Sequence, residues 1–413
     1  MRVRNIVGNV PEPDELYGRS DLIEHLWRQL DGNNILILAP RRFGKSGVMR
    51  HLLDRPRAGF IPVYLDLMAV DSPADYGVCL IGALLAQSQL RAVLHKAKGL
   101  PASLSRWISN TFDALEFEGA RVELRGTIEP DWRDVVRRLV LELEKAEEKV
   151  LFLLDEFPVM LVNMADKHGS ATAQEFMAWF SSVRLQGKDR LRRHRYVVAG
   201  SIGIDAILRR LDPPDKLRDF ERLAVGAIGE ADARRLAADL TKALDLEMPE
   251  ALQETCLNLI GPRVPYFIHL LFSQLAQLRP EERHPVSEAV VRRVYVEQVL
   301  GPTCKHYFDH YRDRLARSGK PLERASLAML RTVADAPLGR VSGSGLYDVY
   351  RKARRRGATE TEFDELVANL ECDWYLCLIP ETNEYYFMVN VMRDWWRRWY
   401  GGARRERTTT EGR

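Results

Sequence analysis

The chain is short of cysteine and spaces what it has poorly for any shared duty: five residues at positions 79, 256, 304, 372 and 377, with no CxxC pair. An odd number without ligand spacing argues against a zinc site and leaves one thiol over in any disulfide scheme. These cysteines therefore read as reduced structural thiols of a cytoplasmic protein. Also missing are a secretory leader and any apolar run of about 18 residues, so no membrane-spanning helix or membrane partner is expected. Charge of one sign is nearly absent: 61 Lys and Arg against 58 Asp and Glu leave a net charge of +3. That balance neither demands nor excludes nucleic acid, so the placement of charge matters more than its sum. No internal repeat is evident. What is present is bulk: 413 residues, 46% of them hydrophobic, enough to bury the cores of two or three domains.

The most informative stretch is Ile35 to Ser46, I-L-I-L-A-P-R-R-F-G-K-S. A short apolar strand feeds a tight loop and then a helix, the arrangement in which backbone N–H groups and a helix N-terminus face phosphates. Ala39, Pro40, Arg41, Arg42, Phe43, Gly44, Lys45, Ser46 and Gly47 are the candidate nucleotide-binding residues. Gly44 allows close backbone approach, Lys45 reaches the β and γ phosphates of ATP, and the Ser46 hydroxyl ligates Mg²⁺, as in GxxxxGK(S/T). Ala39 stands where that pattern has its first glycine. The competing reading is an ordinary left-handed turn before a surface helix.

Lys149 to Met160, K-V-L-F-L-L-D-E-F-P-V-M, is a second apolar strand of the kind buried on both faces of a parallel sheet, ending in two carboxylates. Ligands of such sheets sit at the carboxyl ends of strands. Asp155 is then placed to hold Mg²⁺ and Glu156 to orient and deprotonate a water. The alternative is a solvated acidic strand end capping the next helix. A third strand, Tyr196 to Ser201, brings its polar end beside Asp155 if the two strands are neighbours. Ser201 then senses the γ phosphate or the water, or else serves with Gly200 as a turn and cap, a role open equally to Asp205.

The whole reads as an α/β protein. Residues 1–228 alternate strand candidates (Asn34 to Ala39, Ile61 to Leu67, Val150 to Leu154, Tyr196 to Ala199, Arg222 to Ile228) with helices, the pattern of a parallel sheet sandwiched by helices. A long helical insertion, about 76–148, interrupts it. Residues 229–303 are almost wholly helical. Residues 304–400 carry three helical stretches and then two β-rich runs around a P-E-T-N turn, which together suggest a winged helix. There Arg351, Lys352, Arg354, Arg355 and Arg356 form a cluster that suits DNA phosphates or a solvated helix end. The aromatic R-D-W-W-R-R-W-Y of Arg393 to Tyr400 is expected to seal a core rather than stack bases. Residues 401–413 read as a disordered tail.

Taken in order, Y-G-R-S-D-L-I-E-H-L (Tyr17 to Leu26), A-P-R-R-F-G-K-S, L-L-D-E-F-P, V-V-A-G-S-I-G and G-P-R-V-P-Y-F-I (Gly261 to Ile268) resemble the archaeal-type ATPase family, in the STAND and origin-recognition-like branch of AAA+ P-loop NTPases. The resemblance implies an AAA+ core, an all-α lid over 229–303 and a C-terminal winged-helix domain. It places Tyr17, Gly18 and Arg19 along the adenine, with a loop and helix cap as their plain alternative. It brings the lid turn with Pro265 to the nucleotide and makes Arg263 the candidate sensor cation. It also makes Arg209 and Arg210 candidates for an arginine finger offered to a neighbouring subunit of a homo-oligomer, against the alternative of charges complementing a helix dipole.

Three functions follow from these residues. The first is an ATPase yielding ADP and phosphate, its nucleotide state switching conformation through lid and winged helix toward a protein partner. The second is an ATP-gated DNA-binding regulator or loader with little hydrolysis. The third is a small-molecule kinase, disfavoured because Glu156 beside Asp155 suits water activation rather than an acceptor site.

Overall fold

The computed structural model describes residues 4–97, 99–110, 124–126, 128–185, 194–200, 204, 207, 217–316 and 319–402. It divides into two compact units. One, the sheet unit, comprises Ser20–Leu38 and Lys45–Val225; the other, the C-terminal unit, comprises Met1–Arg19, Ala39–Gly44 and Gly226–Arg413.

In the sheet unit the aliphatic runs form strands because they are buried over nearly their whole length. β1 (Asn34–Leu38), β2 (Phe60–Asp66), β3 (Lys149–Asp155), β4 (Arg195–Gly200) and β5 (Phe220–Ala224) assemble in the order β2-β3-β4-β1-β5. Every pairing is parallel, which requires a crossover between sequential strands. β3 and β4 are neighbours, as the sequence reading required, with Leu154 opposite Val198. Leu38 of β1 lies opposite Gly200, so the carboxyl ends of β1, β3 and β4 share one edge.

The fifth strand departs from expectation. It runs Phe220–Ala224 rather than from Arg222 to Ile228, because its register with β1 ends where β1 ends, at Leu38 opposite Ala224. As an edge strand it keeps Glu221 and Arg222 exposed, so it lacks the apolar signature by which the inner strands are recognised.

The 76–148 insertion contains the helices Pro73–Ala86, Ser88–His95, Ala102–Asn110 and Trp132–Leu143. The Ser72 hydroxyl accepts from Asp75 N–H at the start of the first helix, and proline follows that cap, a strong start signal. Their apolar residues, among them Leu80, Leu84, Leu94, Leu104, Val136 and Leu139, join one core with Val63, Phe152 and Val198 of the strands. Among the described residues no single helix is long and apolar enough to cross a membrane. One bent pair, Pro73–Ala86 with Ser88–His95, passes by length and composition only.

From Gly226 onward the C-terminal unit begins with lid helices Glu230–Ala243, Glu250–Ile260 and Pro265–Leu275. It continues into a winged helix: helices His306–Leu315 and Lys320–Asp335, β6 (Arg340–Ser342), helices Gly343–Arg354 and Glu360–Cys372, then β7 (Leu376–Ile379) and β8 (Glu384–Phe387), the strands in the antiparallel order β6-β8-β7. The closing helix Asn390–Tyr400 buries Trp395 and Trp396 completely. Trp395 stacks on Phe308 at 5.4 Å between ring centroids, and Phe308 stacks on Phe267 of the lid. The tryptophans thus seal the core, and residues 403–413 lie outside the described residues.

Candidate functional site

The motif residues are divided between the two units and joined by the Gly44–Lys45 peptide. In the sheet unit everything converges on Asp155, the last residue of β3 and 3% exposed. Its Oδ2 accepts from Ser46 Oγ at 2.9 Å and from Tyr64 OH at 2.9 Å. Oδ1 accepts the Glu156 N–H at 3.0 Å. Burial, and then the Asp155 charge, hold the Tyr64 hydroxyl well above its ordinary pKa, so it remains a donor. Ser46 is the second residue of the helix Lys45–Asp54, and Lys45, its first, is buried. A serine hydroxyl paired with an aspartate at a strand end is a hard-oxygen donor set that fits Mg²⁺. A buried lysine at a helix N-terminus suits phosphate.

Glu156 follows in left-handed backbone, φ 55° and ψ 30°. A non-glycine residue there is uncommon and persists where its surroundings fix it. They do so here: its N–H is taken by Asp155, and its carbonyl accepts from Val159 N at 3.0 Å and Met160 N at 3.2 Å. The approach of β4 is also close, since a Cβ on Gly200 would meet Pro158 Cδ at 2.2 Å.

In the C-terminal unit the loop Ala39–Gly44 is strongly shaped. Gly44 has φ 92° and Arg42 φ 75°, while Ala39 is not in left-handed backbone. The substitution of alanine for the pattern's first glycine therefore costs nothing in backbone strain; the requirement falls on Gly44. Arg19, 5% exposed, donates to the Phe43 carbonyl at 3.2 Å and the Gly226 carbonyl at 2.7 Å, and burial lowers its pKa to about 10. Gly18 is obligatory on two counts: φ is 61°, and a Cβ would meet Ile228 Cβ at 2.8 Å. The Tyr17 hydroxyl donates to Asp239 Oδ2 at 2.8 Å, and burial with that contact raises its pKa to about 12. The segment from Tyr17 to Arg19 is thereby clamped to the lid and the loop.

Arg263, the candidate sensor cation, is held within the lid. All of its guanidinium donors are engaged within the lid: Nε to Glu230, Nη1 to the Leu257 and Gly261 carbonyls, Nη2 to Glu254 and Asn258. These bonds tie three segments of the lid together. Pro265 opens the next helix at its first position, where a missing N–H costs nothing. The basic cluster is likewise smaller than its sequence. Arg354 binds Glu362 through Nε at 2.8 Å and Nη2 at 3.1 Å, and gives Nη1 to the Arg356 carbonyl. Arg351, Lys352, Arg355 and Arg356 remain exposed. Ser201, Asp205, Arg209 and Arg210 lie outside the described residues.

Sequence reasoning missed Tyr64. Its signal was a lone hydroxyl-bearing residue in the aliphatic run F-I-P-V-Y-L-D of β2. It also missed two histidines of the C-terminal unit. Burial lowers the pKa of His269, which lies against Asn5 and the Ile6 N–H, to about 4 despite nearby Glu15. Burial and then Arg41, Arg42 and Arg314 lower that of His310 to about 3. Both are neutral in the fold, so as pH falls below the ordinary 6.5 the unfolded chain takes up protons first. Stability is then full above pH 6.5 and is lost on the way down, to about pH 4 for His269 and about pH 3 for His310, by about 3 kcal/mol for His269 alone. Melting curves of wild type and His269→Asn across that range test this. The variant's curve should fall less steeply, and parallel curves would refute it.

A five-stranded parallel sheet with a phosphate-loop sequence after β1, an aspartate ending β3, a helical lid and a winged helix defines the class: the fold is that of the AAA+ P-loop ATPases. The chain is similar over 95% of its length to the Walker-type ATPase of Pyrococcus abyssi, 99% of which is covered, with TM-score 0.59 and 18% identity. It is similar over 96% of its length to the ORC2 protein of Aeropyrum pernix, 98% of which is covered, with TM-score 0.54 and 14% identity. At these identities the likeness is one of fold. No family model and no curated protein matches the sequence.

Proposed function

We propose that this chain is a Mg²⁺-dependent ATPase of the STAND-like kind, which hydrolyses ATP to ADP and phosphate and uses its nucleotide state as a conformational switch. The observation that carries the reading is the Ser46 to Asp155 hydrogen bond of 2.9 Å, directly after the loop and at the end of the second apolar strand. The pair would exchange that bond for shared coordination of Mg²⁺. Lys45 would hold the β and γ phosphates, and Glu156 would take a proton from the attacking water. Bound Mg-ATP supplies the transferable phosphoryl group and the neutralising ion. The Aeropyrum pernix ORC2 protein, solved as ADPNP–ADP complexes, supports adenine nucleotide as the ligand class. The test is Mg-ATP binding and turnover by wild type, Lys45→Ala and Glu156→Gln. Binding by wild type with loss in Lys45→Ala is expected, and a wild type that binds no nucleotide refutes the reading.

A second reading, ATP-gated docking of the winged helix on DNA, is favoured by the four cations that stay exposed at one end of the helix Gly343–Arg354. It requires DNA affinity that falls with salt and a shallower salt slope when Arg351, Lys352, Arg355 and Arg356 are changed to alanine. Equal slopes for the two proteins would exclude that face.

A further inference from the structure

Within the C-terminal unit the tip of the phosphate loop is seated on the winged helix. The Phe43 side chain, 1% exposed, packs edge-on against Trp374 with ring centroids 4.8 Å apart. Trp374 also covers the segment leading into the lid, where a Cβ on Gly226 would meet Trp374 Cη2 at 2.9 Å. Gly226 and Phe43 are also bridged by Arg19 through their carbonyls. Two residues earlier in the loop, the Arg41 carbonyl accepts the Tyr311 hydroxyl at 3.1 Å. Between them the Arg42 guanidinium lies 5.0 Å from the centroid of the Tyr266 ring. Three successive loop residues are thus each held by a different aromatic residue.

The seat is itself held under strain. Trp374 has φ 60°, a left-handed conformation costly for a bulky side chain. Both of its neighbours are fastened to the helix His306–Leu315: Asp373 to Arg314 at 2.6 Å, and the Tyr375 hydroxyl to the Tyr311 carbonyl at 2.6 Å. The helix that positions Trp374 is also the one whose Tyr311 reaches the loop. A surface built only to fill a core would not need a tryptophan in that backbone conformation at the corner between a helix and β7. Tyr311 bonds the loop's peptide backbone at the Arg41 carbonyl and Trp374 fixes the Phe43 ring, and the shape of that backbone decides how its N–H groups meet phosphate.

We infer that Trp374 and Tyr311 are positioning residues for the phosphate loop. On this inference the winged helix sets the loop's conformation directly, and the loop's nucleotide occupancy sets how firmly the winged helix is seated. The inference rests on the nucleotide-binding reading above and adds a route that bypasses the lid helices. Coupling of this kind is reciprocal: whatever a seated winged helix adds to nucleotide affinity, nucleotide returns to the seating. Because the seated loop is already ordered, the favourable direction is tighter nucleotide binding.

The test uses the full chain and a fluorescent ADP analogue. Trp374→Ala should release it about tenfold faster than wild type, the scale of a lost aromatic pair, and Tyr311→Phe should release it several-fold faster. Hydrogen exchange should show the amides of residues 39–44 losing protection in Trp374→Ala without nucleotide. It should also show residues 371–376 of wild type gaining protection when ADP is added, a response that a purely structural tryptophan would not give. Tyr311→Phe removes one oxygen and keeps the packing, so it serves where Trp374→Ala fails to fold. Wild type that binds ADP, with release from both folded variants within twofold of its own and no change at 371–376, overturns the coupling alone. Wild type that binds no ADP overturns both the coupling and the function beneath it.

Discussion

Glu156→Gln is expected to bind Mg-ATP as wild type does and to turn it over about 10²- to 10⁴-fold more slowly, the range general-base catalysis contributes. The substitution replaces one oxygen by a nitrogen of similar size. The backbone that places the side chain is unchanged, since its bonds run through the Glu156 N–H to Asp155 and its carbonyl to Val159 and Met160. The groups proposed to hold Mg-ATP, Ser46, Asp155 and Lys45, are also untouched by the substitution. What is lost is the ability to accept a proton, which corresponds to about 3–5 kcal/mol on the barrier. The readout is steady-state phosphate release beside equilibrium nucleotide binding. A loss of less than tenfold with binding intact would remove Glu156 from the role of base. A matching loss of binding would make it part of the metal site instead.

The features legible in the sequence are those in which one residue type has one physical reason. Aliphatic runs buried on both faces announced β1, β3 and β4 and the acidic end of β3, because a parallel sheet leaves such strands no solvent face. Glycine before Lys45 announced the loop, because φ 92° at Gly44 suits little else. The helical stretches and polar turn of the last hundred residues announced the winged helix for a similar reason, with Asn383 at φ 52° closing the turn into β8. β5 was misplaced because an edge strand bearing Glu221 and Arg222 on exposed positions carries no apolar pattern.

What could not be read is partner choice among charged and aromatic side chains, which depends on contacts between residues far apart in the chain. Tyr64 meets Asp155 across 91 positions and Tyr311 meets Arg41 across 270. No local pattern encodes either. The same ignorance inflated the basic cluster, since nothing in R-K-A-R-R-R says that Arg354 alone is claimed by Glu362.

Arg263→Met should destabilise the lid by about 2–4 kcal/mol, an effect a nucleotide sensor would not produce. Two competing roles are weighed by what the guanidinium would have to give up. In its present place it makes three bonds to side chains, Glu230, Glu254 and Asn258 at 3.0 Å each, and two to the Leu257 and Gly261 carbonyls. Bonds to charged partners are worth about 1.5–3 kcal/mol and neutral ones about 1. The lower total expected here reflects the partly exposed carboxylates, 57% for Glu230 and 33% for Glu254. Reaching out to a phosphate would forfeit most of this for one new ion pair, leaving the Leu257 carbonyl with only the Gly261 N–H and the Gly261 carbonyl without the guanidinium. Lysine cannot substitute, because a single ammonium cannot span that fork of acceptors. Arg263→Lys and Arg263→Met should therefore both lose amide protection over 250–275 and melt earlier. Turnover per folded molecule should change little. Normal melting with a large loss of turnover would restore Arg263 as a sensor.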